Sequence, residues 1–407
     1  ETKPVTRRQR SLPVPLPPLP ETPLVSILIP NYNHAEFVGE AVRSALNQSW
    51  QQVEVLVCDD GSTDHSRSVL STFQSDSRVR ILYKKNGGQA SAVNTAFAES
   101  RGEIIALLDA DDLFHSEKIQ HVVDAFRQEP EAGLLIHRLD KIDGRGEVYG
   151  QLPMVPALPQ GWYREQVITT GSSPHGFPVT SGLVLRREVA SRIFPVSDAV
   201  VYDLDEMVRR LSLLITPVTA IDASLGTYRI HGGNVTALDV ADRLEKMLPI
   251  YRVMAEETRR FVEQSDPTDL KRLPVPEEDI NLLLMRYVLI RLNRAPAQGD
   301  MQANQWKVPG DQTHGPSDQG KMQANHRLEP THQSKETTER EVESSAHMIW
   351  ETIQKSSSFQ SWSVVRRGFW QVTVRMPLPL FKRSVALYWN SNGYKLQLTR
   401  LKKSLRL

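Results

Sequence analysis

The 407-residue chain has a single cysteine, Cys58, which excludes an internal disulfide and any thiolate metal cluster and fits a reducing compartment. No apolar run approaches the ~20 residues that a membrane-crossing helix needs. The net charge of +1 is too small a bias to point to nucleic acid. No GxGxxG follows a strand pattern, so a dinucleotide-dependent dehydrogenase is disfavoured. The stretch "NYNHAEF" after the first apolar run carries neither the glycines nor the basic residue expected of a sugar-phosphate nucleotidylyltransferase. Acid is missing from the end of the chain: none follows Glu351, whereas eleven Lys and Arg do. The first residue is Glu1 rather than Met, which is compatible with a removed leader.

What is present divides the chain. Residues 1–23 hold seven prolines and read as an extended, polyproline-like arm without a core of its own. From Leu24 on, short runs rich in Val, Ile and Leu appear: "LVSILIP", "VEVLVCDD", "VRILYKK", "EIIALLDADD" and "AGLLIH". Continuous rather than alternating apolarity predicts strands covered on both faces, as in a parallel sheet. Between them, "HAEFVGEAVRSALNQ", "DHSRSVLSTFQSD", "GQASAVNTAFAES" and "SEKIQHVVDAFRQE" each carry an apolar stripe at helical spacing, the second with Asp64 as N-cap candidate. Alternating strands and helices predict an α/β fold. A catalytic domain is expected over 24–238, divided near 138 into two halves. A helical extension follows over 239–296, a polar, flexible insertion over 297–345 and a basic, aromatic tail over 346–407.

Two predicted strands end in acid: Asp59 and Asp60, then Asp109, Asp111 and Asp112. In an open parallel sheet, ligands bind beyond the carboxyl ends of the strands. Carboxylates converging there repel one another and raise each other's pKa. A divalent cation with the phosphates it neutralises would resolve that, hard oxygen ligands suiting Mg²⁺ or Mn²⁺. The plainer reading is that acids after strands are turn formers and helix caps.

The motifs "VSILIPNYNHAEFVGEAVRSAL", "CDDGSTD", "NGGQASAVNTAF" and "LLDADD", in this order and approximate spacing, resemble family 2 glycosyltransferases with the GT-A fold. The resemblance is strong over about 24–138 and weaker through "SGLVLRREV", "YDLDEMVRRL" and "YRIHGGNVT". It implies a Rossmann-like, mixed but mostly parallel sheet flanked by helices, and inverting, metal-dependent transfer of a sugar from a nucleotide diphosphate. UDP-sugars are the favoured donors. It further implies that Pro30, Asn31 and Tyr32 meet the nucleotide base, and that Asp60, with Asp59 beside it, contacts the uracil or ribose. Asn86, Gly88 and Asn94 match the loop and helix start along the ribose and sugar. Asp109 and Asp111 match the DxD motif, the second acid binding Mn²⁺ or Mg²⁺ and the first supporting the nucleotide-sugar beside that metal; Asp112 would support the metal site or touch the sugar. His231 matches a position near the diphosphate where it helps hold metal or phosphate.

A transferred sugar needs a general base for its acceptor hydroxyl. The resemblance assigns this to Asp203, with Asp205 second, although Tyr202 stands where the family usually has Glu. Read as a plain helix start, these acids and Glu206 simply complement the dipole. Trp162 and His175 are candidates to line the acceptor site. The acceptor could be a carbohydrate, a lipid-linked sugar or a protein, in cell-surface polysaccharide or glycolipid synthesis; no nucleic acid is expected. The alternative is a non-catalytic carbohydrate-binding or scaffold protein that keeps the fold. The basic tail, with Phe369, Trp370, Tyr388 and Trp389, reads as a surface anchor over 352–407, cations near anionic lipid contributing about 1 kcal/mol each. A cytoplasmic protein peripheral to the inner face of a membrane is therefore expected.

Overall fold

The computed structural model describes residues 13–232 and 240–276 together with Asp279, Leu283, Leu284, Met285, Tyr287, Val288, Trp350 and Gln354. The expected flexible insertion, nearly all of the tail and its membrane anchor, and the first twelve residues of the arm lie outside the described residues.

The first strands are β1 (Val25–Asn31), β2 (Val53–Asp59), β3 (Val79–Tyr83) and β4 (Ile104–Leu107). They pair in parallel in the order β3-β2-β1-β4. Their side chains alternate between two cores. Val25, Ile27, Ile29, Val53, Val55, Val57, Ile104 and Ala106 face one, and Leu28, Leu56, Cys58, Ile105 and Leu107 the other. Both faces being covered, the period of two leaves no polar position to show itself, which is why each run reads as uninterrupted apolarity.

On the first face lie α1 (Val38–Leu46), α2 (Ser66–Ser71) and α4 (Lys118–Gln128), contributing Val38, Val42, Leu70, Val122 and Phe126. Asp64 accepts the Ser66 N–H at 2.9 Å, so the expected cap is made from just ahead of α2. On the second face lie α3 (Gln89–Glu99), α5 (Arg164–Thr170), α6 (Arg187–Ile193), α7 (Leu204–Leu213) and α8 (Val240–Ser265). Ile250, Met254 and Val262 of α8 enter the same core as Leu28. Each such fully buried aliphatic contributes about 1.5–3 kcal/mol.

The sheet continues with β5 (Leu113–Phe114), β6 (Leu134–Ile142), β7 (Val148–Leu152), β8 (Leu183–Arg186) and β9 (Val218–Arg229), in the order β4-β8-β6-β9-β5 with β7 on β6. The result is the expected α/β sheet of GT-A type. The reversal that makes the sheet mixed is β8, which runs antiparallel to both β4 and β6. β6, which begins in "AGLLIH", therefore keeps the direction of β1 to β4 and pairs in parallel with β9, while β7 pairs with it antiparallel.

The described part of the arm, 13–23, is a strap. Val14 is 4% exposed in the second core. Prolines offer carbonyls but no N–H, and donors from the domain take those carbonyls. Arg186 donates to Pro17 O at 2.5 Å, the Trp50 indole N–H to Pro23 O at 3.0 Å, and Arg127 to Glu21 O.

At the starting end of the sheet, Glu54 is buried and accepts from Ser26 Oγ (2.6 Å), the Arg101 N–H (2.6 Å) and the Arg101 guanidinium (3.0 Å). Burial pushes its carboxyl up, but these donors more than offset that and hold it below the usual range. Glu54→Gln should therefore cost about 1–3 kcal/mol in urea unfolding at neutral pH. The deficit should shrink as pH falls through the acid range, where the parent carboxylate is itself protonated.

Candidate active site

The parallel register pairs Asn31 with Asp59 at the far end of β1 and β2. Asn31 is 1% exposed and donates to Asp59 Oδ1 (2.8 Å) and Ser62 Oγ (3.2 Å). Ser62 also donates to Asp59 at 2.5 Å. Asp60 accepts from Lys84 Nζ (2.6 Å), from the Gly87 N–H (3.0 Å) and from the Gly88 N–H (2.7 Å). Asp60 is thus paired with a lysine and Asp59 is hydrogen-bonded by neutral groups, all from within the protein. The two acids build the walls of the crevice. Gly61 and Gly88 have φ of +77° and +88°, and a Cβ would meet Asn86 N or Val201 Cγ1 at 2.8 Å. Both turns therefore require glycine. Pro30 is the next-to-last residue of β1, and Tyr32 just beyond the strand is 45% exposed, as a residue open to a stacking ligand would be. Asn86 is exposed on the loop between β3 and α3. Asn94, by contrast, spends its amide on the chain: it donates to Val196 O (2.8 Å) and accepts from Val196 N (3.0 Å).

The second acid cluster follows β4. Asp112 is fully buried, accepting from Ser181 Oγ (2.6 Å) and the Arg229 N–H (2.9 Å). Burial first, then Asp111 and Asp109, push its carboxyl well up. It braces the turn. Lys118, with no exposure, donates to Ser181 O at 2.8 Å and sits 3.2 Å from the Phe114 ring centroid. Asp109 accepts from the Gln89 amide at 2.9 Å. Its carboxyl is pushed up to about 7 by burial, then by the charges of Asp111 and Asp205.

Antiparallel pairing of β5 with β9 brings Thr227 opposite Leu113, so the residues after β9 pass beside the acids. There Asp111 Oδ2 lies 2.9 Å from His231 Nε2. His34, in the turn before α1, completes a group in which the ligand atoms of His34, Asp111 and His231 all lie within 4.8 Å of one another. Two imidazoles and a carboxylate suit Mn²⁺ and its transition-metal neighbours better than Mg²⁺. Of the three expected metal residues, Asp111 and His231 come together here, while Asp109 is adjacent and tied to Gln89. His34 was not singled out from the sequence; its signal was only a lone His in "NYNH". Phe37 positions it, its ring centroid lying 4.8 Å from His231 and 6.4 Å from His34.

The later acids sit at the start of α7. Asp203 is its N-cap, in the left-handed region at φ +54°, with no side-chain cap bond. Asp205 and Glu206 are taken up by arginines: Arg209 bonds both, at 2.5 and 2.9 Å, and fully buried Arg210 bonds Glu206 at 2.6 Å. Those cations overcome burial and hold Glu206 down at about 2. Asp203 goes the other way, pushed up to about 7 by burial and then by Asp205. Its carboxylate accepts from Tyr251 Oη at 3.2 Å. Nearby acids with opposite shifts are the pattern that acid–base chemistry would require. Tyr202, at the position expected to be Glu, is 38% exposed. Trp162 is 47% exposed, and His175 is exposed in the segment before α6.

Residues 26–194 match the family described as "Glycosyl transferase family 2". An uncharacterised glycosyltransferase of Nostoc is 34% identical over 215 residues, covering 52% of this chain and 66% of that protein. The chain thus spans just under two thirds of that curated relative's length. Chondroitin synthase of Escherichia coli is 38% identical over 131 residues, 32% of this chain and 19% of the synthase. Among solved structures, Staphylococcus aureus TarS with UDP-GlcNAc superposes with TM-score 0.43 at 17% identity, covering 66% of this chain and 81% of that one. A likeness so distant carries no functional argument.

Two outcomes are expected. Titration of the protein with Mn²⁺, followed by electron paramagnetic resonance, should show binding that Asp111→Ala abolishes and His34→Ala weakens by roughly tenfold or more. Separately, the folded protein holds the Asp203 proton up to about pH 7, whereas an unfolded Asp releases it near ~4, so ionising it costs stability as pH rises between those values. Asp203→Asn should melt roughly 2–4 °C above the parent at pH 8 and level with it at pH 4.

Proposed function

We propose, from the match of residues 26–194 to glycosyl transferase family 2, that the chain is a member of that family and moves a sugar from a nucleoside diphosphate donor, a UDP-sugar by preference, to a hydroxyl of a carbohydrate acceptor, with inversion at the sugar carbon. The observation that carries the reading is the gathering of His34, beyond β1, with Asp111 and His231, beyond β4 and β9, their ligand atoms all within 4.8 Å of one another. A donor held there would present its sugar to the acids at the start of α7. The relationship to chondroitin synthase supports a growing polysaccharide as acceptor.

A divalent ion held by Asp111 with His231 and His34 would supply Lewis-acid stabilisation of the departing diphosphate. The chain's own residues do the rest. Tyr32 offers an exposed ring to the base, and the loop held by Asp60 lines the ribose. Asp109, held by Gln89, faces the sugar. Asp203, with its carboxyl near 7, takes the proton from the acceptor hydroxyl as that oxygen bonds to the sugar carbon and the bond to the diphosphate breaks. One displacement from the face opposite the leaving group inverts the configuration. Glu206, locked between two arginines and Ser173, is unavailable as a base and instead shapes the pocket floor.

Among the described residues, no helix is long and apolar enough to cross a membrane. The proposed cytoplasmic placement rests on the lone cysteine, and the proposed membrane contact on the basic tail, nearly all of which lies outside the described residues.

The test is a thermal-shift panel of nucleoside diphosphates with Mn²⁺ followed by transfer assays with the matching sugars. UDP should raise the melting temperature most. Asp111→Ala should lose transfer while keeping the parent's melting curve. Asp203→Asn should lose roughly 10²–10⁴-fold in turnover with donor affinity preserved. Equal losses in turnover and donor binding would make Asp203 a binding residue and sink the assignment.

A further inference from the structure

The family match ends at residue 194, yet the nearest hydrogen-bond partner of Asp203 comes from α8, far beyond it. Asp203 occupies a left-handed conformation, uncommon for a residue with a Cβ and costing of order 1–3 kcal/mol unless its surroundings demand it. The usual reward for an Asp at an N-cap, a bond from its carboxylate to the helix's own N–H groups, is absent. The carboxylate instead accepts from Tyr251 Oη at 3.2 Å. The Tyr251 ring packs on the second core, and the Arg210 guanidinium lies 5.4 Å from its centroid. Arg210 is anchored in turn by Glu206 (2.6 Å) and lies 3.9 Å from Asp279. The phenol therefore has little freedom to turn away from Asp203.

We propose that Tyr251 is a positioning residue for the reaction: its hydroxyl holds the Asp203 carboxylate in the left-handed pose in which it can receive a proton, so that α8 completes the active site from outside the expected catalytic domain, 24–238. This rests on the reading of Asp203 as the base. The groups acting on Asp203 are Asp205, Glu206 and Arg209 from its own helix and Tyr251 from α8. Arg209 is committed to Asp205 and Glu206, at 2.5 and 2.9 Å. Tyr251 is thus the one group from another element found donating to this carboxylate among the described residues. A donated hydrogen bond favours the ionised form, so removing it raises the carboxyl's titration midpoint.

The experiment follows the carboxyl directly, on the full chain. Protein labelled with ¹³C at aspartate carboxyls is titrated by NMR, and the Asp203 signal is assigned as the one missing from Asp203→Asn. Tyr251→Phe keeps the ring and removes only the hydroxyl. The Asp203 midpoint should move upward by roughly half a unit or more in Tyr251→Phe. UDP release from UDP-glucose and UDP-GlcNAc with Mn²⁺ should fall roughly tenfold in turnover with KM for donor unchanged, and the acid limb of its pH profile should move with the NMR midpoint. Tyr251→Leu, which also removes the ring, should lower the melting temperature, and Tyr251→Phe should do so far less. A midpoint that stays in place in Tyr251→Phe overturns the positioning role whatever activity does. A midpoint that moves while Asp203→Asn retains full turnover leaves the contact standing and overturns the assignment of the base.

Discussion

Parallel pairing of β1 with β2 on one side and β4 on the other is the constraint on which the site depends. Val25 stands opposite both Val53 and Ile104, so the three strands start level. Their carboxyl ends then open on one crevice, with Asn31, Asp59, Asp60 and the acids after Leu107 around it. A sheet buried on both faces by separate cores holds that register firmly, because a slip by one residue would exchange the two cores' side chains.

Charge is handled differently at the two ends of this sheet. At the starting end, buried Glu54 is matched by Ser26 and Arg101 and held below its usual range. At the far end, Asp59 takes hydrogen bonds from Asn31 and Ser62, and Asp60 is matched by Lys84 and two glycine N–H groups. Asp109 and Asp203 are not. Each is pushed up to about 7, burial being the largest cause and a neighbouring acid the next. A protein that can neutralise buried acids so thoroughly elsewhere leaves these two under-compensated where substrate chemistry would use them. Glu206, three residues from Asp203, shows how local the choice is: two arginines take it to about 2.

Much of the fold was legible. β1 to β4 and α1 to α4 follow from apolar runs and stripes because each is a short, local pattern. β9 was not read as a strand, since "VTAIDASLGTYR" mixes exposed and buried positions along an irregular ladder. Yet β9 carries His231 to Asp111. His34 and Tyr251 were invisible for a related reason. Each stands in an unremarkable local context and acquires its role from a residue at least 48 positions away.

By itself the sequence determined the α/β class, the acid-tipped strands and the order of motifs that carry the family resemblance, because these are set by near neighbours along the chain. It also implied that acids meeting at the strand ends must be compensated. Which acids are compensated, and by what, was decided only by the tertiary structure. The lysine and backbone N–H partners of Asp60 lie 20 or more residues away, the arginines of Glu206 lie about one helical turn away, and Asp203 has only a tyrosine hydroxyl from another helix. Electrostatic compensation depends on distance in space and on desolvation, and neither is written in the local order of residues.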